Sequence, residues 1–359
     1  MKKVSSDNDV WTAQDSEKNH TEFTIMEIII DAMGGDNAPK EIVEGAILAS
    51  QKYKSKIVLV GNQKIIEQHL KSLGGDTRVI DIVHTEGVIT MEDDPMSVIR
   101  QKKDSSMTVG LNLLKQSGDA FVSAGNTGAL HVGSSLIIRT IKGVQRSGIA
   151  TILPFRKPML LMDSGANVNV TADYLVQWAV MGSIYMKNVM GVASPEVGLL
   201  NNGTEEHKGT QIQIDAYKKL SEYSAVRFIG NVEGKEVPNA PCDVLITDGF
   251  TGNVTLKLIE GVSKFMFGAL RDMYTQNVVT KMSFLVMKDS LKRMKHDFDA
   301  SEYGGAPLLG LRKPVIKAHG SSDAKAICNA VRQAEAFVKT GVIDDITKEL
   351  QEEKEQANA

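Results

Sequence analysis

The sequence is poor in several things, and each shortage excludes something. It has two cysteines in 359 residues, Cys242 and Cys328. They are too few and too far apart for a thiolate metal site or a disulfide framework, and they fit two buried thiols in a reducing compartment. No apolar run approaches the ~20 residues that a membrane-spanning helix requires. Residues 1–25, MKKVSSDNDVWTAQDSEKNHTEFTI, contain no apolar segment of the signal-peptide kind. Neither sign of charge dominates: 41 Lys and Arg stand against 44 Asp and Glu, for a net charge of −3. The bulk balance therefore points to no nucleic acid, and an acidic partner would have to meet a local basic patch. The seven histidines show no spacing for a zinc site or a Ser-His-Asp set. Both familiar nucleotide signatures are missing, since there is no G-x-x-x-x-G-K-[ST] and no strand is followed by G-x-G-x-x-G.

What remains is the composition of an ordinary α/β enzyme, 42% hydrophobic and 24% charged. Residues 1–25 read as a flexible polar extension, and Met26, directly before the first strand, offers a second place to start translation. From there short apolar runs alternate with helical spacing. MEIIID, KIVLVG, RVIDIVHT, AFVSAG, IATILPF, PMLLMDSG, EVGLLNNG, AVRFIG and DVLITDGF read as strands. Pro39 is placed at the first position of a helix. Nearly all-apolar strands between helices predict a three-layer α/β/α sandwich with a largely parallel sheet, covered on both faces. Residues 253–297 show helical spacing only and predict two protruding helices joined near Gln276–Val279. The chain then returns through EYGGAPLLG and PVIKAHGSS to a helix over 323–339, and 341–359 form an acidic helical tail. No internal repeat is visible.

The unusual residues gather where strands end: DAMGGD, SAGNTGA, DSGANVN, NNGTEEHKG, DGFTGN and HGSS. In a parallel sheet the carboxyl ends of the strands hold the ligand, so these six turns are expected along one edge. Glycine lets backbone N–H groups approach a ligand, and a helix start after such a turn attracts anions. A phosphate cradled in this way needs no lysine in the turn. Ser123, Gly125, Asn126 and Thr127 are the first candidates, with Asn167, Asn253, His319, Ser321 and Ser322 as further donors. Lys208 or Lys257 would balance charge. Lys208 has two readings, facing an anion or pairing with Glu205, and His207 reads as exposed. Asp31, Asp36, Asp163 and Asp248 either hold Mg²⁺ or orient loops and cap helices, and the spread over separate turns favours the second. No metal or cofactor is expected.

Taken together, DAMGGDNAP, SAGNTGA, LMDSGAN, LLNNGTEEHKG, DGFTGN, EYGGAPLLG and KAHGSS resemble, in order, the blocks of the PlsX-type phosphate acyltransferases of bacterial phospholipid synthesis. The resemblance covers about residues 26–340, a single catalytic domain, and Asn202 departs from it where an aliphatic residue is expected. It implies a fold similar to phosphotransacetylases and isopropylmalate-type dehydrogenases. It also implies transfer of a long acyl chain from acyl carrier protein to inorganic phosphate, giving acyl phosphate for a glycerol-3-phosphate acyltransferase. It implies a homodimer in the cytoplasm, peripherally associated with the membrane. Under this reading Asn126, Lys208, His319 and Asn253 are catalytic candidates. Ser123, Gly125, Thr127, Asn167, Ser321, Ser322 and Lys257 bind phosphate.

Two features stay open at this level. Val278, Val279, Met282, Leu285 and Val286, beside Lys281 and Lys288, are either a dimer or core face or a tip that dips into lipid. The carrier protein is acidic, so Arg139, Lys142 and Arg146, or Lys292, Arg293 and Lys295, are candidate docks, although such runs are more often plain solvated surface. The rival readings are a phosphotransacetylase that uses acyl-coenzyme A, a metal-dependent dehydrogenase, and a non-catalytic membrane scaffold for lipid enzymes.

Overall fold

A computed structural model of the chain describes residues 25–76, 78–297 and 300–358. The extension expected over residues 1–25 lies, but for Ile25, outside them. The apolar runs form eleven strands: β1 (Glu27–Asp31), β2 (Lys56–Gly61), β3 (Ile80–His84), β4 (Ala120–Ser123), β5 (Gly148–Leu153), β6 (Met159–Met162), β7 (Glu196–Asn201), β8 (Arg227–Glu233), β9 (Val244–Ile246), β10 (Ala306–Leu309) and β11 (Val315–Lys317). All eleven join one sheet in the order β3-β2-β1-β4-β11-β10-β5-β6-β9-β7-β8.

Strand side chains alternate between two cores, as the period of two requires. Ile28 and Ile30 of β1 enter one apolar cluster, with helices Lys40–Lys52, Ala172–Asn188 and Ala324–Lys339. Ile29 enters another, with helix Ser106–Gln116. A third cluster, around Leu161 and Leu245, is closed by Leu256 and Ile259 of the long helix Gly249–Thr275. Helices therefore cover both faces of a mostly parallel sheet.

The structure departs from expectation in three places. Pro39 sits one residue ahead of its helix, as the N-cap residue. The return path EYGGAPLLG and PVIKAHGSS contains two strands, β10 and β11, which fill the middle of the sheet. The third departure concerns direction. β10 runs antiparallel to both β11 and β5, and β5 runs antiparallel to β6. Strands β6, β7, β8 and β9 are parallel to one another. They therefore point opposite to β1, β2, β3, β4 and β11. The six turns do not share one edge: those after β1, β4 and β11 lie at one end of the sheet, and those after β6, β7 and β9 at the other. Apolar composition carries no information about strand direction, so the sequence could not show this.

Helix Gly249–Thr275 follows β9 and turns back along the sheet. Helix Val278–Asp297 then packs against it, with Tyr274 and Phe284 rings 5.8 Å apart. Much of the apolar surface of this pair is exposed, including Phe265, Val279 and Leu285. The C-terminal helix Val342–Asn358 is anchored by the buried side chains of Val342, Ile346 and Leu350.

Trp178 is the largest fully buried side chain, and its indole N–H donates to Arg146 O at 3.0 Å. Trp178→Ala is expected to cost about 3–5 kcal/mol of stability, read from urea unfolding followed by circular dichroism.

Candidate active site

Three turns meet at the carboxyl ends of β1, β4 and β11, and glycine makes the meeting possible. A Cβ on Gly34 would lie 2.5 Å from Asp31 Oδ2 and 2.9 Å from the Gly125 nitrogen. Gly35 has φ +109° and packs on Ala124 and Gly320. The Asp36 N–H donates to Gly320 O at 2.8 Å, and the Asn37 amide reaches the carbonyls of Ser321 and Ser322. The Ala318 N–H donates to Ser123 O at 2.9 Å. MGGD, SAGN and KAHGSS are thus one hydrogen-bonded unit.

Within this unit several candidate side chains are engaged with the protein itself. The Ser123 hydroxyl is buried and donates to Asp31 Oδ2 at 2.7 Å. It also accepts the Gly125 N–H at 3.1 Å. Asn126 caps helix Thr127–Gly133 by accepting the Ala129 N–H at 3.0 Å. Its amide donates to the carbonyls of Thr90, Met91 and Asp93, each at 3.2 Å. In this structure both residues hold turns in place, with their hydrogen-bonding groups committed inside the protein. Thr127 is exposed at the first helical residue, Ser322 is buried, and Ser321 is exposed.

The other half of the sheet contributes through a second unit. Asp163 accepts the backbone N–H groups of Ile149, Gly165, Ala166 and Asn167, along with the Asn167 side chain at 2.9 Å. Asp248 caps the long helix through Thr251. Both aspartates therefore orient loops. A Cβ on Gly252 would fall 1.9 Å from Asp163 O, so only glycine lets this helix start sit on the DSGAN turn. Asn253 follows, exposed and facing Gly165. Asn167 also donates to Ser147 O at 2.8 Å.

The long helix carries Lys257 back to the first unit. Lys257 Nζ stands 3.4 Å from His319 Nε2 and 2.8 Å from Glu260 Oε2. The Ser321 N–H donates to His319 Nδ1 at 3.2 Å. The Ser321 hydroxyl stands 2.8 Å from the same Nδ1, so the tautomer of a neutral ring follows from which of these contacts it makes. Burial, and next the Lys257 charge, hold His319 below the usual histidine range and so keep it neutral. The ammonium and Nε2 face each other across 3.4 Å, within reach of a shared anionic oxygen.

Two groups in these turns were not singled out from sequence. Lys317 ends β11 and is buried, with Nζ donating to the carbonyls of Ala124 and Ala318. Burial brings its ammonium down to about 8. The visible signal was a lysine closing the apolar run VIK. His131 lies 3.3 Å from Ser147 Oγ, and burial lowers its pKa as well. Ser147 thus joins a helix of the first half to Asn167 of the second.

Lys208 is not brought to this place. It stands beyond β7, five strands along from β11, and its N–H donates to Glu205 O at 3.1 Å. Among the described residues no ion pair joins Lys208 to Glu205, and His207 is exposed. Cavity size points elsewhere. An open groove of about 420 Å³ along outer strand β8 is lined by Tyr217, Tyr223 and Phe228, without any carboxylate, lysine, arginine or histidine. The convergence of charge and glycine turns, not volume, marks the candidate site.

Comparison with known proteins gives the family. The family model described as "Fatty acid synthesis protein" matches residues 26–345. A phosphate acyltransferase of Alkaliphilus oremlandii is 46% identical over 325 residues, which is 90% of this chain and 97% of that protein. A phosphate acyltransferase of Bacillus subtilis is 44% identical over 333 residues, 92% and 99%. The chain belongs to the phosphate acyltransferase family. Membership makes it an acyltransferase, as its motifs led one to expect. Solved structures show the fold more widely. A phosphotransacetylase from Streptococcus pyogenes superposes with TM-score 0.61 at 16% identity, covering 87% of this chain and 94% of its own. A putative 4-hydroxythreonine-4-phosphate dehydrogenase from Salmonella typhimurium gives 0.52 at 13%, covering 88% and 99%. At such identities the likeness is one of fold, the one the resemblance implied.

For this phosphate acyltransferase family member, Asn126→Ala should remove one helix cap and three restraints on residues 90–93. The cap alone is worth about 1 kcal/mol. The expected outcome is a lower melting temperature together with at least a tenfold drop in kcat/KM for phosphate. An unchanged kcat/KM would show that the 90–93 loop does not shape the site.

Proposed function

We propose that the protein transfers a long-chain acyl group from acyl carrier protein to inorganic phosphate, producing acyl phosphate for phospholipid synthesis. The observation that carries this reading is the approach of Lys257 Nζ to His319 Nε2, 3.4 Å apart above three interlocked glycine turns. The family relationship names the reaction class, and the geometry offers a place for the anion.

The chemistry asks mainly for positioning. A phosphate oxygen attacks the thioester carbonyl carbon and a C–O bond forms. The carbonyl electrons move to oxygen, giving a tetrahedral oxyanion. When it collapses the C–S bond breaks, and the carrier's thiolate leaves with the bonding pair and takes a proton from water. Holding both reactants in register supplies up to about 7–11 kcal/mol in ideal cases. A preorganised oxyanion donor is worth about 3–4 kcal/mol. Lys257, His319 and the backbone N–H groups of the turns grip phosphate. Thr127, Ser321 and Ser322 line the same turns, and Asn253 with the DSGAN turn faces them from the opposite half. Ser123, Gly125, Asn126 and Asn167 shape the cradle from behind.

The remaining surface suits a lipid-handling enzyme. On helix Gly249–Thr275 the exposed Phe250, Val254, Leu258, Val262 and Phe265 recur every three or four residues, one stripe that a second copy of the chain would cover. At the far end Val278, Val279, Met282, Leu285 and Val286 are exposed, Val286 by 83%. With Lys281 and Lys288 they form a tip suited to the surface of an anionic membrane. Among the described residues no helix is long and apolar enough to cross one. Contact with the surface would deliver a single-chain amphiphile to a membrane glycerol-3-phosphate acyltransferase. Arg139, Lys142 and Arg146 are exposed and offer the acidic carrier a basic dock. The side chains of Lys292, Arg293 and Lys295 lie outside the described residues.

A phosphotransacetylase using acyl-coenzyme A is the second reading, favoured by the superposition on a phosphotransacetylase. Incubating the protein with long-chain acyl-carrier protein, long-chain acyl-coenzyme A or acetyl-coenzyme A, each with and without phosphate, separates the two. Hydroxylamine traps the acyl phosphate. Phosphate-dependent hydroxamate from the carrier thioester is expected to exceed that from acetyl-coenzyme A at least a hundredfold; the reverse ranking would establish the second reading. The Val279→Asp, Leu285→Asp double variant should no longer float with anionic liposomes while keeping its acyl transfer in solution. Undiminished flotation would assign the tip to a protein interface.

A further inference from the structure

We infer that Lys317 is a positioning residue of the phosphate site, its buried ammonium fastening the turn after β4 to the turn after β11. The inference rests on the phosphate-binding reading above and assigns a role to a residue outside it.

The geometry is specific. Lys317 ends β11, directly beside Ser123 at the end of β4. Its Nζ donates to Ala124 O at 3.4 Å and to Ala318 O. Ala124 sits inside SAGN, and Ala318 is the residue before His319. One ammonium therefore ties together the SAGN turn and the segment that carries the His319 imidazole. Lysine is costly to bury and is retained where its charge has work to do. A methionine of similar length would fill the same space without that penalty.

The charged groups facing Lys317 come from every neighbouring element. Asp31 at the end of β1 and Asp36 in the following turn attract its charge, and Lys257 on the long helix repels it. His319, two residues on, feels the same charge. Adjacent β10 presents the apolar Ala306. Lys317 thus supplies positive potential beneath the cradle while Lys257 supplies it from above. Because burial brings the ammonium down to about 8, the charge is present at neutral pH and is lost as pH rises through that value. Phosphate is mostly dianionic there and gains the rest of its charge as pH rises, so its own titration would not weaken binding.

Three measurements test this, with inorganic phosphate as the probe. Calorimetric phosphate affinity of the wild-type protein is expected to weaken at least fivefold from pH 7.5 to 9.5. Lys317→Met should raise both the phosphate Kd and the phosphate KM at least tenfold at pH 7.5, while the KM for acyl-carrier protein stays within twofold. Lys317→Arg, which cannot lose its charge in this range, should restore most of the affinity and flatten the pH profile. A flat wild-type profile overturns the inference, even if Lys317→Met fails to fold. So does a Lys317→Met variant with wild-type phosphate affinity, or one whose two KM values rise together. Should the wild type bind phosphate in this Lys317-dependent way yet transfer no acyl group, the acyl-transfer reading falls and the role of Lys317 stands.

Discussion

One constraint organises the molecule: three antiparallel pairings in a row, β11–β10, β10–β5 and β5–β6, reverse the sheet at its centre. Everything on the β4 side of β10 points one way, and from β6 outward everything points the other. The long helix after β9 therefore starts at the far end of the sheet and climbs back, and two turns along it Lys257 arrives over His319. Were the sheet parallel throughout, the loop after β9 would open at the same end as those after β1 and β4. The lysine would then be carried away from them along the helix. The reversal turns two separate strand-end clusters into one site.

The site is unusual in how few of its polar side chains are free. Ser123, Asn126, Asp163, Asn167 and Asp248 spend their hydrogen bonds on backbone groups or on each other. The effect is rigidity. A cradle built of peptide N–H groups binds an anion only if those groups are held in place beforehand, because rearranging them on binding would consume the interaction energy. Buried carboxylates hold the turns, and a buried lysine offsets their charge. Burial raises the Asp31 pKa and lowers that of Lys317, so both are pushed toward neutrality.

Much of this was legible from residues alone. Nine strands follow from apolar runs such as KIVLVG and PMLLM, and the helices from their spacing. The six polar turns stood out from the sequence as candidates for binding. Direction was not legible: APLL is the same four apolar residues whether it runs up or down, and only pairing decides. β10 and β11 were hidden for a related reason, since runs of four and three residues bounded by glycine look like a connection. Nor does sequence show which polar group in a turn faces the ligand. Asn126 looks like an anion donor until three carbonyls of residues 90–93 are seen to claim its amide. Lys317 lay in a quoted motif, yet a lysine at the end of a strand normally reaches water; its burial is a fact of packing.

The two strands at the centre of the sheet, β11 and β10, are made after the other nine. Until they arrive, a nascent protein holds two unfinished half-sheets, each with a raw edge at β4 or β5 where its neighbour should be. Such edges invite pairing with other chains. The anion cradle cannot exist in that interval either, since a third of its walls are still unmade. A chain cut short before residue 315 loses β11 and the turn that follows it together.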